Sequence, residues 1–244
     1  MRGRSGVLDG RTYLKSPFAE ELLLLENIDI LVLTETHSTD FSHSRKTKVL
    51  CQSGVSSSRA GLAVITRSDS GWSCTDTRPL IPGYALLARL HSRISTKSLW
   101  LLCVYADNSK VAFPSLTKFY DALQLSLSSA ISSIPDWPGC FAAGDWNFVV
   151  HPEDALPLRS PPAPSLLTKF NNILSLCRMR DSVGFGPFPR GHSYRGRSHG
   201  VECSSRLDRI YCPEADWFPG DPVTLPTLWS DHSLVWVDCT LSRP

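Results

Sequence analysis

Glu35, Tyr105, Asp145 with Asn147, Asp208, and Asp231 with His232 each stand at the end of an apolar, strand-like run. Rigid strands commonly present catalytic groups at their ends. In Gly144-Asp145-Trp146-Asn147 the carboxylate and the amide lie two residues apart, which puts them on one face of an extended chain with Trp146 on the other. Several carboxylates brought together repel one another unless a divalent cation neutralises them. Carboxylate and amide oxygens suit Mg²⁺. A cation-held site with one His and one Tyr suits attack of water on a phosphodiester, the cation neutralising phosphate charge and one acid/base group activating the water. Taken singly, each residue has a plainer reading: a solvated loop glutamate, a tyrosine capping the core, a surface ion pair at Asp208, a turn at Asp231-His232. Their joint occurrence favours the site.

The elements that must position these residues follow in order. Residues 1–15 carry no convincing element. Pro17 to Glu26 reads as a helix, with Ser16 as cap and Phe18, Leu22 and Leu25 on one face. Ile28 to Leu33 is a buried strand leading to Glu35. Residues 38–58 form a polar loop with a short strand near Val49, and Gly61 to Ile65 is the next strand. Tyr84 to Leu90 and Ser98 to Tyr105 predict an antiparallel hairpin. A helix over 115–134 presents Leu116, Phe119, Leu123, Leu127, Ala130 and Ile134, and the strand Cys140–Ala143 carries Asp145 at its end. The Pro-dense 152–164 stretch is irregular, Leu166 to Leu176 is an amphipathic helix, and 184–205 is a long loop. Strands from Arg206 and from Leu234 close the chain. Mixed strands and helices with a hairpin and long loops imply α/β (α+β) layers around two sheets, with spacing too irregular for a (β/α)₈ barrel.

Composition excludes several alternatives. The net charge of +2 gives no global basic field, so any nucleic-acid footprint is local. The 8 cysteines include no CxxC pair, and those in apolar runs read as small core residues rather than a disulfide framework. The first residues form no secretory signal, and no run approaches the ~20 apolar residues of a membrane span. The chain is expected to be soluble, intracellular and monomeric, with no membrane partner.

Thr34-Glu35-Thr36-His37, Val104-Tyr105, Gly144-Asp145-Trp146-Asn147, Ser205-Arg206-Leu207-Asp208-Arg209-Ile210-Tyr211 and Ser230-Asp231-His232 together resemble the ordered motifs of the endonuclease/exonuclease/phosphatase superfamily. With His192-Ser193-Tyr194 and Asp154, the form is most similar to the apurinic-type endonuclease domain of non-LTR (LINE-type) retrotransposons. The resemblance spans about residues 17–240 and implies one domain over 1–244, a four-layer sandwich of two mixed β-sheets flanked by helices. It implies Glu35 as metal-binding glutamate and Asp145 as the group that orients or deprotonates the attacking water. Asn147 would contact the scissile phosphate, and Tyr105 would lie near the phosphate or leaving group. Asp208 would pair with the catalytic His232, and Asp231 would be the last acidic residue near the metal. Mg²⁺ (or Mn²⁺) is the implied cofactor and DNA the implied substrate. A nick in the DNA would prime a reverse-transcriptase domain or protein acting as partner, in the nucleus. One departure stands out: the family's first-strand Asn falls at or just before Met1, so the first strand is expected to be missing. That absence exposes sheet backbone and removes one active-site contact, and it predicts a truncated copy that is unstable or inactive, a non-catalytic DNA- or protein-binding remnant.

The loop 190–209 carries Arg190, Arg195, Arg197 and Arg206 with Tyr194 interleaved, a composition suited to phosphate contact and base stacking. It favours nucleic acid over the lipid or inositol phosphates and sphingomyelin of the rival superfamily activities, with abasic-site repair as a further rival. Gly196-Arg197-Ser198-His199-Gly200 matches GxSxG formally but lacks the strand and helix of a nucleophile elbow. No His/Cys set shows zinc-ligand spacing.

Overall fold

The structure is a computed structural model that describes residues 2–9, 27–37, 46–54, 60–107, 112–182, 191–198, 200–215, 217–226 and 231–241, with 2–9 and 241 as backbone. In chain order the first strands are β1 (Arg2–Asp9), β2 (Ile30–Thr34), β3 (Thr47–Ser53) and β4 (Leu62–Arg67). Then come β5 (Trp72–Ile81), β6 (Ala85–Ser92), β7 (Ser98–Tyr105), helix α1 (Leu116–Ser132) and β8 (Phe141–Asp145). After β9 (Ala155–Leu156) come helix α2 (Pro164–Cys177) and β10 (Met179–Asp181), then β11 (Tyr194–Ser198) and β12 (Val201–Ser205). The last strands are β13 (Asp208–Pro213), β14 (Trp217–Pro219), β15 (Val223–Leu225) and β16 (Leu234–Leu241). The helix expected over 17–26 lies outside the described residues.

Two mixed sheets face each other. One runs β14-β16-β1-β2-β4-β3, with β15 also on β16, and the other runs β10-β13-β8-β7-β6-β5. Parallel pairing occurs between β1 and β2 and between β7 and β8. Alternation along the strands fills both faces of the second sheet. Leu86, Leu101, Cys103, Phe141, Ala143 and Ile210 meet Ile30, Val32, Leu62, Val64, Val235 and Val237 of the first sheet. On the outer face Leu87, Leu102, Val104, Ala142 and Tyr211 pack against Phe119, Tyr120, Leu123 and Leu127 of α1 and Leu166, Phe170 and Ile173 of α2. Burying each of these large side chains is worth about 1.5–3 kcal/mol. Ser115 caps α1 by accepting the Lys118 N–H at 3.3 Å, and Arg178 ends α2 in the left-handed conformation, φ 51°.

Two expectations need correction. The first strand is not missing: Arg2–Asp9 forms β1, inserted between β16 and β2, with Asp9 in register with Thr34 at the strand end that leads to Glu35. The polar Arg2-Gly3-Arg4-Ser5-Gly6 stretch hides it, because neighbouring strands supply the pairing that local propensity does not. Residues 184–205 are not one long loop, since β11 and β12 form an antiparallel hairpin with β9 against β12. Its residues are mostly exposed and polar, so no apolar alternation announces it. β5 goes unread for a related reason: it is an edge strand carrying Thr75, Asp76, Thr77 and Arg78, with Pro79 near its end.

Gly144 is what allows β8 to lie between β7 and β13. Its φ is +152°, and a Cβ there would stand 1.8 Å from the Val104 carbonyl oxygen. Gly144→Ala is therefore expected to cost about 3 kcal/mol or more, through a clash that only backbone movement can relieve. Chemical denaturation checks this, and an unchanged midpoint would contradict the close approach.

Candidate active site

Asp145 closes β8, and the two strands flanking it bring their own functional residues to the same level. Tyr105 of β7 is its parallel register partner and Asp208 of β13 its antiparallel one. His232 arrives from the loop before β16, its Nδ1 2.8 Å from Asp208 Oδ2. One ligand atom from each of Asp145, Asp208 and His232 lies within 4.8 Å of the others. Glu35 comes from the end of β2 in the opposite sheet, held at φ 52°, and accepts the Tyr105 hydroxyl at 2.5 Å. The other Glu35 oxygen is 3.8 Å from His37 Nε2. The two sheets thus converge at one end on a single group of acids, phenol and imidazole.

Asn147 lies beyond the strand at φ 52°, yet its side chain returns to Asp145. Its Nδ2 donates to Asp145 Oδ2 at 2.9 Å and to the Ala106 carbonyl at 2.7 Å, while its backbone N–H donates to Asp145 Oδ1 at 2.9 Å. Trp146 faces away into the core as the sequence predicts. Its backbone N–H donates to Leu207 at 3.0 Å, and Tyr120 donates to its carbonyl at 2.8 Å. The turn after β8 is thereby pinned on both sides.

Ser193 is a positioning residue that residue-by-residue reasoning passed over. Fully buried, its Oγ accepts the backbone N–H groups of Leu207 at 3.1 Å and Asp208 at 2.8 Å, and its carbonyl accepts Ser233 N–H at 2.6 Å. It therefore ties the Asp208 strand to the His232 loop. Tyr194 next to it pairs with His232 in an isolated bridge and sets its ring edge-on to the imidazole, centroids 5.3 Å apart. The His192-Ser193-Tyr194 motif was the available signal.

Asp145 and Asp208 are 4% and 3% exposed, so two carboxylates face each other with little solvent between them. Burial first, then the Asp208 charge, pushes Asp145 up to about 7, against the lowering pull of His232 and the Asn147 N–H. Burial disfavours the charged form of His232, but Asp208 outweighs it through charge and hydrogen bond, pushing it up to about 10. Burial and the neighbouring Glu35 carboxylate push the Tyr105 phenol well up, so it stays a donor.

The other sequence-predicted residues fall less uniformly. Asp231 is exposed, with its carbonyl accepting Arg195 N–H at 2.8 Å, and neither it nor Glu35 belongs to the compact Asp145–Asp208–His232 group. Arg195 and Arg197 are exposed on β11 beside half-buried Tyr194. A groove of about 820 Å³ runs along this hairpin, lined by His192, Arg195, Arg197 and Ser204. Arg190 lies outside the described residues. Arg206 is a correction: it is 3% exposed, forked onto Asp181 at 2.6 and 2.9 Å with Asp154 4.0 Å away, and so it braces the fold instead of reaching a phosphate. The sequence gives no sign of its partners, which come from β10 and from the turn before β9.

The buried acids, the His–Asp pair and the two converging sheets define a hydrolytic fold of a known class. The chain matches the Endonuclease/Exonuclease/phosphatase family over residues 16–232 and belongs to it. Among solved structures, the AP endonuclease LMAP from Leishmania major superposes with a TM-score of 0.72 at 16% identity, covering 100% of this chain and 88% of that one. The endonuclease domain of TRAS1, a telomere-specific non-LTR retrotransposon, gives 0.67 at 12% identity, covering 99% and 100%. D. rerio TDP2, complexed with single-strand DNA product, gives 0.65 at 14%, covering 98% and 99%. No curated protein sequence matches the chain.

Two outcomes are expected. Between the ordinary carboxylate value of 3.8 and about 7, the folded chain keeps an Asp145 proton that the unfolded chain has released. This contribution to stability is therefore full below pH ~4 and lost as pH rises through ~7. In chelator, the difference in Tm between wild type and Asp145→Asn should shift against wild type across that window, and a pH-independent difference would contradict the raised carboxyl. Arg206→Ala should cost about 3 kcal/mol by removing the buried guanidinium that forks onto half-buried Asp181 and lies near fully buried Asp154, whereas Arg197→Ala should change stability by less than about 0.5 kcal/mol. Urea denaturation of both variants checks this.

Proposed function

We propose that the chain is a divalent-metal-dependent phosphodiesterase, and specifically a DNA endonuclease that nicks one strand in the manner of non-LTR retrotransposons. The nick would leave a 3′ hydroxyl for a reverse transcriptase, which places the activity in the nucleus. The observation that carries the reading is the convergence of Asp145, Asp208 and His232 with the Glu35–Tyr105 pair at one end of both sheets.

The donor set fits a hard cation. Burial first, then the charge of Asp208, holds Asp145 partly protonated near neutral pH, and Glu35 adds a smaller push in the same direction. Glu35, the Asp145–Asp208 side and Asp231 would hold Mg²⁺ or Mn²⁺, which would supply charge neutralisation for those carboxylates and for a phosphate. The chain's own groups do the rest. Asp145, fixed by two hydrogen bonds from Asn147, orients a water and takes its proton, a role suited to a carboxyl near 7. His232, kept protonated by Asp208, offers positive charge and a hydrogen bond to a phosphate oxygen. Tyr105 holds Glu35 in place and keeps its proton at the phosphate side. These separated acid and base tendencies are the pattern expected of a site that moves protons at neutral pH.

DNA as substrate rests on the hairpin. Tyr194 abuts His232 at the reacting centre, and exposed Arg195 and Arg197, on the other face of the same strand, offer groups suited to phosphate contact next to it. The retrotransposon endonuclease domain and the DNA-bound TDP2 among the structural relatives support the same substrate. The AP endonuclease carries a second reading, cleavage at abasic sites. With β1 in place between β16 and β2, the remnant reading loses the missing strand as support, while β1 itself carries no Asn.

Nicking of supercoiled plasmid in Mg²⁺ tests the proposal. Activity should vanish in EDTA and fall about 10²–10⁴-fold in Asp145→Ala and in His232→Ala. Arg195→Ala with Arg197→Ala should weaken DNA binding and flatten its salt dependence. A folded wild type that leaves both plasmid and an abasic duplex intact would overturn it.

A further inference from the structure

The two strands that deliver Asp208 and His232 belong to different sheets and meet again deeper in the sandwich. β13, in one sheet, begins at Asp208 and carries Cys212 further along, while β16, in the other, follows His232 and carries Cys239. The two sulfurs stand 3.6 Å apart in the layer between the sheets. Cys212 is 0% and Cys239 3% exposed, packed in one cluster with Phe141, Ile210, Val235 and Val237.

All eight cysteines are free thiols, and contact, not number, singles out this pair. Cys140 has its sulfur 3.8 Å from Met179 Sδ, and Cys74 has its own 3.1 Å from Thr77 Oγ1. A disulfide bond is about 2.05 Å long, so closing the Cys212–Cys239 gap takes a relative shift of roughly 1.5 Å. Gly3 of β1 is the register partner of Cys239 and has no side chain, so nothing on that strand stands beside the sulfur to oppose the shift. Folding therefore holds the two thiols at a high effective concentration for each other.

We propose that Cys212 and Cys239 are a redox-closed staple, forming under an oxidising thiol poise a disulfide that ties the Asp208 strand of one sheet to the His232 strand of the other. The oxidant is a small-molecule disulfide, which acts while the chain folds and both thiols can still be reached. One cysteine thiolate attacks a sulfur of the oxidant, the S–S bond breaks, and the departing thiolate takes up the proton that the cysteine released. The second cysteine thiolate then attacks the first cysteine's sulfur in the mixed disulfide, and the other half of the oxidant leaves as a thiol with the second proton. Two protein thiols are oxidised by two electrons, and one disulfide is reduced to two thiols.

Closure joins positions 27 apart in sequence and restricts the unfolded chain over that span, which stabilises the folded one. The bond would lie in the interior, where a thiolate in solution cannot attack it until the sheets part. Half-buried Cys74 and Cys203 provide the internal comparison. Access predicts that they take up the oxidant first, whereas contact predicts that Cys212–Cys239 is the bond that persists.

The full chain is unfolded with reductant, refolded in a buffer of oxidised and reduced glutathione, alkylated with N-ethylmaleimide, digested without reduction and read by mass spectrometry. The expected result is a Cys212–Cys239 cross-link at least about tenfold more abundant than any other pair, with Tm roughly 5–10 °C above that of the reduced chain. In Cys239→Ala, Tm should no longer depend on the glutathione poise. Eight alkylated cysteines, cross-links scattered without preference for this pair, or a cross-linked chain that melts no higher than the reduced one would overturn the proposal. The wild-type cross-link map decides it even if the variant fails to fold.

Discussion

Two carboxylates that would rather be apart are held opposite each other where β8 ends and β13 begins. Asp145 and Asp208 are register partners on neighbouring antiparallel strands, both almost fully buried. Like charges directly opposed in a ladder are destabilising, and in a dry setting more so. The surroundings relieve that strain locally. His232 gives Asp208 a cationic partner, Asn147 gives Asp145 two N–H donors, and Asp145 keeps a proton up to about neutral pH. Gly144 lets the backbone carry the pair to this point, since any side chain there would collide with β7.

Around this pair the fold does little except hold still. Ser193 binds the backbone on both sides of the Asp208–His232 contact, and the pinned turn at Trp146 fixes the other flank. Glu35 is delivered from the opposite sheet, so the site exists only while the two sheets stay packed through the layer of Val32, Val64, Leu101, Ala143 and Val237. A site assembled across two sheets in this way is rigid by construction, which suits chemistry that depends on placing a water and a charge relative to one phosphate.

Much of the site was readable from sequence because its residues end strongly apolar strands. Tyr105 and Asp145 close buried apolar runs and Asp208 opens one, and strand pairing then sets them side by side. What escaped depends on partners distant in sequence. β1 is polar and glycine-bearing, and only its two neighbours make it a strand. The β11–β12 hairpin has no buried face of its own. Arg206 shares its loop composition with exposed Arg195 and Arg197, and only the position of Asp181 shows that its charge is spent inside the fold. Composition can count arginines but not say which face solvent.

The central claim is that the Asp145–Asp208 strain marks a divalent-cation site, and calorimetric titration of Mn²⁺ or Mg²⁺ at pH 7 in two buffers of different ionisation enthalpy tests it most directly. The account predicts saturable binding with release of a fraction of a proton from Asp145, and Asp145→Asn should bind more weakly with that proton release abolished. Binding with no proton exchange, or proton release unchanged in Asp145→Asn, would contradict it.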